Sequence, residues 1–180
     1  MLGKQTHRMQ CGMMYNDLDP ELMRARQKTM ALTTAYAQSY SQSPAKREAL
    51  LAKILGKVGK NVHFEPTFRC EFGKNISIGD NFFANFDCIM LDGAKITIGN
   101  NVLFGPRVGI YTADHTIDKT ERQLGDCQAK PVTIGDNTVI GSGSVVTHDI
   151  PSNVVAYGDP CRVARKITAA DKTGYDPTKI

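Results

Sequence analysis

"ISIGDN" (76–81), "ITIGNN" (96–101) and "VTIGDN" (132–137) are near copies of one hexapeptide. Ile78 and Ile98 lie 20 residues apart, and Ile98 and Ile134 lie 36 apart, which is twice 18. Around these copies an aliphatic or aromatic residue recurs every six positions, as Ile98, Phe104, Ile110 and again as Ile134, Ile140, Val146. A period of six is neither the 3.6 of an α-helix nor the simple alternation of a strand. It predicts a triangular coil in which short strands meet at corners and each side sends one apolar side chain inward. The Gly-Asp-Asn and Gly-Asn-Asn steps supply residues that tolerate left-handed backbone at such corners. Stacked coils pair their strands in parallel and bury one continuous core. An all-β parallel β-helix is therefore expected over residues 59–167; a sandwich with three coincidental turns is the weaker account.

The segment 1–58 has a different pattern. "DPELMRARQKTMALTTAYAQSY" offers Asp19 as N-cap, Pro20 at the first helical position and Glu21 in the first turn, with Leu22, Met23, Met30 and Leu32 at roughly helical spacing. Ser43-Pro44 restarts a helix, "AKREALLAKILGKV", with Leu50, Leu51, Ile54 and Leu55 on one stripe and Gly56 or Gly59 near its end. Such a pair has little to bury alone and should dock on the coil. The last stretch, 168–180, shows no core pattern and reads as a polar tail.

Composition narrows the class. Of 180 residues, 41% are hydrophobic and 22% charged, as in a globular domain of ordinary size. The net charge of +4 is too mild, and its cations too dispersed, to point to nucleic acid. No run of about 18 apolar residues exists to span a membrane. "MLGKQTHRMQCGMMY" lacks the apolar centre of a secretory signal, so a cytoplasmic location is expected. Cys11, Cys70, Cys88, Cys127 and Cys161 have no CxxC spacing, which argues for reduced thiols rather than a disulfide framework or zinc knuckle.

Residues 111–130 break the six-residue rhythm and carry "IYTADHTID" (110–118), with His115 between Asp114 and Asp118. Excursions from a regular scaffold commonly hold function. A neutral imidazole can take the proton of a hydroxyl, which assists an alcohol attacking a thioester by roughly 10²–10⁴-fold. Read alone, a single loop histidine is more often a surface residue. Cys88 and Cys127 are competing nucleophiles by proximity, but neither has a base paired with it in the sequence. Asn85 breaks an apolar, aromatic stretch, as either a group aimed into a cleft or a corner asparagine. Asp92-Gly93 reads as a turn, and Asp17 and Arg24 as a helix cap and a solvated helix face.

Strung together in order, "GMMYNDLDPELMRAR", "EPTFRCEFGKNISIG", "NFFANFDCIMLD", "FGPRVGIYTADHTID", "KPVTIGDN" and "GSGSVVTHDIPSNVVAYGDPCRVARKI" resemble the hexapeptide-repeat acyltransferases, in their maltose and galactoside acetyltransferase group. The resemblance covers residues 9–167. It implies a left-handed parallel β-helix, where ordinary crossover rules favour the other hand. It also implies a homotrimer with active sites between neighbours, acetyl-CoA as co-substrate with no metal, and a sugar acceptor such as maltose or glucose. His115 falls on the family's catalytic base. Asp17, Arg24, Asn85 and Asp92 fall on acceptor-site positions. Ser142, Thr147 and His148 fall along the pantetheine groove, with His148 departing from the usual lysine. Arg162, Arg165 and Lys166 fall where the coenzyme A phosphates bind, chemistry suited to guanidinium. Gly93 stands where galactoside enzymes often carry a second acid, which favours the maltose-like reading, and Cys127 stands where related sequences often have Glu, with Asp126 adjacent.

One departure is large. After "KPVTIGDN" the family continues with a further coil containing Trp, whereas here Asn137 runs straight into "TVIGSGSVV" and the chain has no Trp. The omission equals one 18-residue turn, so the coil can close in register. In the family that turn carries the Trp beside the coenzyme arm and a backbone donor for the thioester oxygen, so its loss is expected to weaken acetyl-CoA binding. A deletion, a shortened active form and residues left out of the written sequence all fit the omission. Two other functions stand beside acetyl transfer. A non-catalytic trimeric scaffold follows from the missing turn. A γ-carbonic-anhydrase-type metalloenzyme needs three converging histidines, and His7, His63, His115 and His148 are scattered.

Overall fold

The computed structural model describes residues 3–175 and 178. Three helices come first: α1 (Lys4–Gln10), α2 (Pro20–Gln38) and α3 (Pro44–Ile54). Asp19 caps α2, its side chain accepting from the Glu21 amide at 2.8 Å, with Pro20 opening the helix as its composition predicts. The buried stripe of α2 is Leu22, Thr29, Thr33 and Tyr36, not the methionines; Met23 and Met30 are exposed. The docking face is set by polar anchors. Thr29 Oγ1 donates to the Phe72 carbonyl at 3.0 Å and Tyr36 Oη to that of Phe64 at 3.3 Å, which rotates both methionines outward.

From Lys57 the chain winds into a three-sided parallel solenoid. One face stacks Lys57–Val58, Ile76–Ile78, Ile96–Ile98 and Val132–Ile134; a second stacks Val62–Phe64, Phe82–Ala84, Leu103–Phe104, Val139–Ile140 and Val154–Tyr157; the third stacks Arg69–Cys70, Ile89–Leu91, Gly109–Tyr111 and Val145–Val146. The six-residue rhythm is the step from face to face: Ile98, Phe104, Ile110, Ile134, Ile140 and Val146 are all buried. The 36-residue step is not two coils. Val132–Ile134 pairs directly with Ile96–Ile98 in register, so that step is a single coil plus the excursion. Beyond Asn137, Val139 and Ile140 stack on Leu103 and Phe104, so the solenoid closes in register at the place of the missing turn. Arg162–Lys166 turns back antiparallel along Val154–Tyr157 and finishes the second face.

Asn61, Asn81, Asn101, Asn137 and Asn153 occupy one corner, all in the left-handed region, with φ between 55° and 61°. Each amide of the first four donates to the carbonyl oxygen of the next at 2.9–3.0 Å, giving a ladder along the axis. Gly99 precedes a rung, and a Cβ there would lie 2.3 Å from Asp136 Oδ1 and 2.8 Å from its amide nitrogen, so only glycine permits the coil spacing. Asn101→Ala removes two rungs and forces alanine into left-handed backbone. We expect a loss of about 2 kcal/mol in chemical denaturation, from a strain cost of roughly 1–2 kcal/mol plus two solvent-exposed hydrogen bonds.

At the first coil the helices cover the open end. Tyr36 Oη and Arg47 Nη2 bond the free Phe64 backbone, terminating an edge that would otherwise expose unpaired strand groups. Inside, Phe64, Phe82 and Phe104 form an aromatic column with centroids 5.1 and 5.0 Å apart.

Candidate active site

The excursion leaves the third face after Tyr111 and returns at Val132. Its neck is tied by buried Thr112, whose Oγ1 donates to the Leu91 carbonyl at 2.7 Å and accepts from the Ala94 amide at 2.9 Å. Above the neck, Ala113–His115 and Asp126–Ala129 form an antiparallel hairpin, and Tyr15–Asn16 from the helical segment adds a third strand. The register aligns Tyr15, Cys127 and His115 in one row. Directly opposed residues share a sheet face, so these three side chains issue from the same side. That side is the covered one: Tyr15 and Cys127 are both 2% exposed and pack with Met9, Leu22, Phe72, Ala94 and Ala129. His115 continues the row beyond the cover; it is exposed, with no hydrogen-bond partner among the described residues. The acids flanking it have other duties. Asp114 is exposed on the opposite face, and Asp118 caps α4 (Lys119–Gln123), accepting from the Thr120 and Glu121 amides at 2.9 and 3.1 Å.

Beside the row lies a charged cluster. The Arg26 guanidinium donates through Nε to Glu71 Oε1 at 2.7 Å, through Nη1 to the Asp17 carbonyl at 2.8 Å and through Nη2 to the Asp17 carboxylate. It lies 5.3 Å above the Phe72 ring. Burial pushes the Glu71 carboxyl up, and the adjacent guanidinium opposes that shift. Burial also raises the Cys127 thiol, with the charges of Asp17 and Glu71 acting in the same direction. Cys127 is therefore in electrostatic contact with the cluster on one side and paired with His115 on the other. Neither it nor Cys88, whose thiol complete burial drives far above the ordinary range, is a poised thiolate.

Arg24 does not join this group. Two residues along a helix turn through about 200°, so Arg24 is exposed while Arg26, one turn after buried Leu22, faces inward. The helical spacing from Leu22 would have identified Arg26; Glu71, within "FRCEFG", has no local signal. Asp92 is likewise not a cleft residue in this chain. It is fully buried, with Oδ1 accepting from the Glu71 and Phe72 amides at 3.0 and 2.8 Å and Oδ2 from Asn75 at 3.3 Å, so it shapes the turn that carries Glu71. Burial still pushes its carboxyl up. Next to it, a Cβ at Gly93 would stand 3.0 Å from Tyr15 Oη and 3.1 Å from Ala113 Cβ, so a second acid there would require these neighbours to give by a few tenths of an ångström.

Asn85 is half-buried at a corner, its Oδ1 accepting from the Phe86 amide at 2.8 Å. It adjoins an open groove of about 520 Å³ lined by Phe86, Asp87, Pro106, Arg107, Ser142 and Gly143, which places Ser142 in the same corner column. Thr147 and His148 bond each other at 2.8 Å and are exposed; they follow Val145–Val146, which pairs with Gly109–Ile110 just before the excursion departs. Arg162, Arg165 and Lys166 lie on the exposed terminal strand, where Arg165 pairs with Asp171 at 2.7 Å. Among the described residues no group of three His, Cys, Asp or Glu is arranged to hold a metal ion, and no helix is long and apolar enough to cross a membrane.

Residues 8–59 match the family described as the maltose acetyltransferase hexapeptide capping motif, and residues 131–164 match the hexapeptide repeat of succinyl-transferase. The chain is 37% identical to galactoside O-acetyltransferase of Escherichia coli, the alignment covering 94% of this chain and 93% of the relative. It belongs to the maltose/galactoside O-acetyltransferase family. The protein is thus an acetyltransferase with the left-handed β-helix of that family. A maltose O-acetyltransferase from Clostridium difficile 630 superposes with a TM-score of 0.81 at 42% identity, covering 92% of this chain and 98% of that one. A galactoside acetyltransferase in complex with coenzyme A gives 0.81 at 36% identity, covering 97% and 96%. The alignment with the E. coli member spans 188 positions, yet 94% of 180 residues is about 169. The excess of about 19 positions is the size of the turn this family member lacks.

Proposed function

We propose that the protein transfers the acetyl group of acetyl-CoA to a hydroxyl of a sugar such as maltose or glucose, with His115 as general base. The row Tyr15–Cys127–His115 supports this reading, because Cys127 couples to Asp17, Glu71 and Arg26 and is opposed in register by the unengaged imidazole of the excursion. Carboxylate and guanidinium together suit a polyol, which both donates and accepts. In this scheme His115 takes the hydroxyl proton as oxygen attacks the thioester carbonyl. Backbone donors hold the oxyanion, and His115 returns the proton to the departing thiolate. Asn85, its Nδ2 without a partner among the described residues, orients the base or acceptor from the corner groove. Ser142, Thr147 and His148 line the arm of the donor, and Arg162, Arg165 and Lys166 meet its phosphates. Asp92 acts indirectly, through the Glu71 turn.

The scheme calls for a homotrimer: His115 stands exposed on a single chain, and Phe86, Ile89, Leu91, Leu103 and Ile117 are exposed apolar side chains of the kind a subunit seam would cover, Ile117 at 94%. Thiol release from acetyl-CoA, followed with maltose, glucose and galactosides, tests the reading: acceptor-dependent release is expected, and none with any sugar would overturn it in favour of a non-catalytic scaffold, the reading the missing turn favours. Calorimetric affinity for acetyl-CoA should fall below that of full-length relatives. Arg26→Gln should raise the acceptor KM about tenfold, with less change in the KM for acetyl-CoA, because charge-assisted hydrogen bonds are worth roughly 1.5–3 kcal/mol.

A further inference from the structure

Lys74 and Lys95 stand at the same corner on successive coils, each just ahead of a first-face strand, Ile76–Ile78 for one and Ile96–Ile98 for the other. Both are exposed, and both line an open cavity of about 270 Å³ together with Gln10, Asn75, Ser77 and Gly93. Strand pairing adds a third cation. Lys57 is in register with Ser77, so its exposed side chain leaves the same face one coil away. The Lys74 ammonium gives one of its three donors to the Leu55 carbonyl, at 3.0 Å. Lys95 Nζ has no partner among the described residues. No acid lines this cavity. The groove at Phe86, by contrast, sets Asp87 beside Arg107, and the cavity at Lys4 and Arg8 includes Asp126. Asp92, next to Gly93, turns its carboxylate inward onto the amides of Glu71, Phe72 and Asn75. Cations gathered without a counter-charge repel one another, and a bound anion removes that repulsion.

We propose that this cavity binds a dianionic tetrahedral oxyanion, a phosphate or sulfate group, between Lys74 and Lys95. The lining selects that class. Its charged groups are donors only, Ser77 adds a hydroxyl, and two or three ammonium groups match a dianion better than a single carboxylate. The site lies away from the acetyl-transfer groups. The first face turns Ser77, Thr97 and Thr133 outward, whereas the exposed apolar side chains Ile89 and Leu91 are on the third face and Leu103 is on the second. Binding here needs neither turnover nor a subunit seam, so its failure would leave the acetyl-transfer reading untouched.

The test is titration calorimetry on the full chain with sodium phosphate, sodium sulfate, methyl phosphate and sodium acetate, at an ionic strength held constant with sodium chloride. Phosphate and sulfate should bind saturably, and acetate more weakly. Lys95→Gln breaks no side-chain bond among the described residues and should weaken phosphate binding about tenfold, the scale of one charge-assisted hydrogen bond. Lys74→Gln should weaken it as well. Arg165→Gln, on the strand assigned to the donor phosphates, should leave phosphate affinity unchanged, and Lys95→Gln should leave acetyl-CoA affinity unchanged. Methyl phosphate binding as tightly as free phosphate would assign the site to phosphate esters, and much weaker binding to the free ion. Absence of saturable phosphate binding, acetate matching phosphate, phosphate affinity unchanged by Lys95→Gln, or an equal loss in Arg165→Gln would each overturn the proposal.

Discussion

His115→Ala is expected to lower acetyl transfer to the sugar acceptor by roughly 10²–10⁴-fold, the range for loss of a positioned general base. The fold should be unaffected, because the ring is exposed and has no hydrogen-bond partner among the described residues. The register aids this separation. His115 is the last residue of Ala113–His115, and the hairpin is held by its backbone pairing with Asp126–Ala129 and by Thr112 at the neck. The loss should fall on kcat with acetyl-CoA affinity little changed, since the imidazole acts only as the proton moves. A variant with wild-type turnover would remove His115 from the chemistry and leave the scaffold reading standing.

Phe82→Ala should produce the largest loss of stability. Phe82 is 1% exposed and lies between Phe64 and Phe104 in the solenoid interior, its centroid 5.1 and 5.0 Å from theirs. Stacked coils cannot slide together to refill the space, because the asparagine ladder and the strand pairs fix their spacing. The cavity therefore persists, and the expected cost is about 3–5 kcal/mol. In thermal unfolding at fixed protein concentration this corresponds to a fall of roughly 10 °C in Tm. A change of less than a few degrees would mean that the coils relax around the hole.

The repeats were legible because each of their signals is local. A left-handed Asn and a following six-residue apolar step act within one corner and one side, and every copy repeats the same demand. The N-cap of α2 was legible for the same reason, since Asp19, Pro20 and Glu21 are consecutive. The outward facing of Met23 and Met30 was not legible, because spacing marks a possible stripe, whereas the docking face is chosen by Thr29 and Tyr36 meeting carbonyls of the first coils. Arg26 was legible in principle, since it lies one helical turn after buried Leu22, whereas its partner Glu71 carries no local signal.

By itself the chain determined a period, and the period determined a parallel coil with an irregular loop at 111–130, because strand, corner and inward side chain are all specified within six residues. Only the tertiary structure decided which groups meet at that loop. Tyr15 and Cys127 are separated by more than a hundred residues, and Arg26 and Glu71 by 45, so their encounters depend on how the helical segment lays a strand against the excursion. The 36-residue step shows the same division: sequence distance cannot distinguish two coils from one coil and a loop, while hydrogen bonds between Ile96–Ile98 and Val132–Ile134 can.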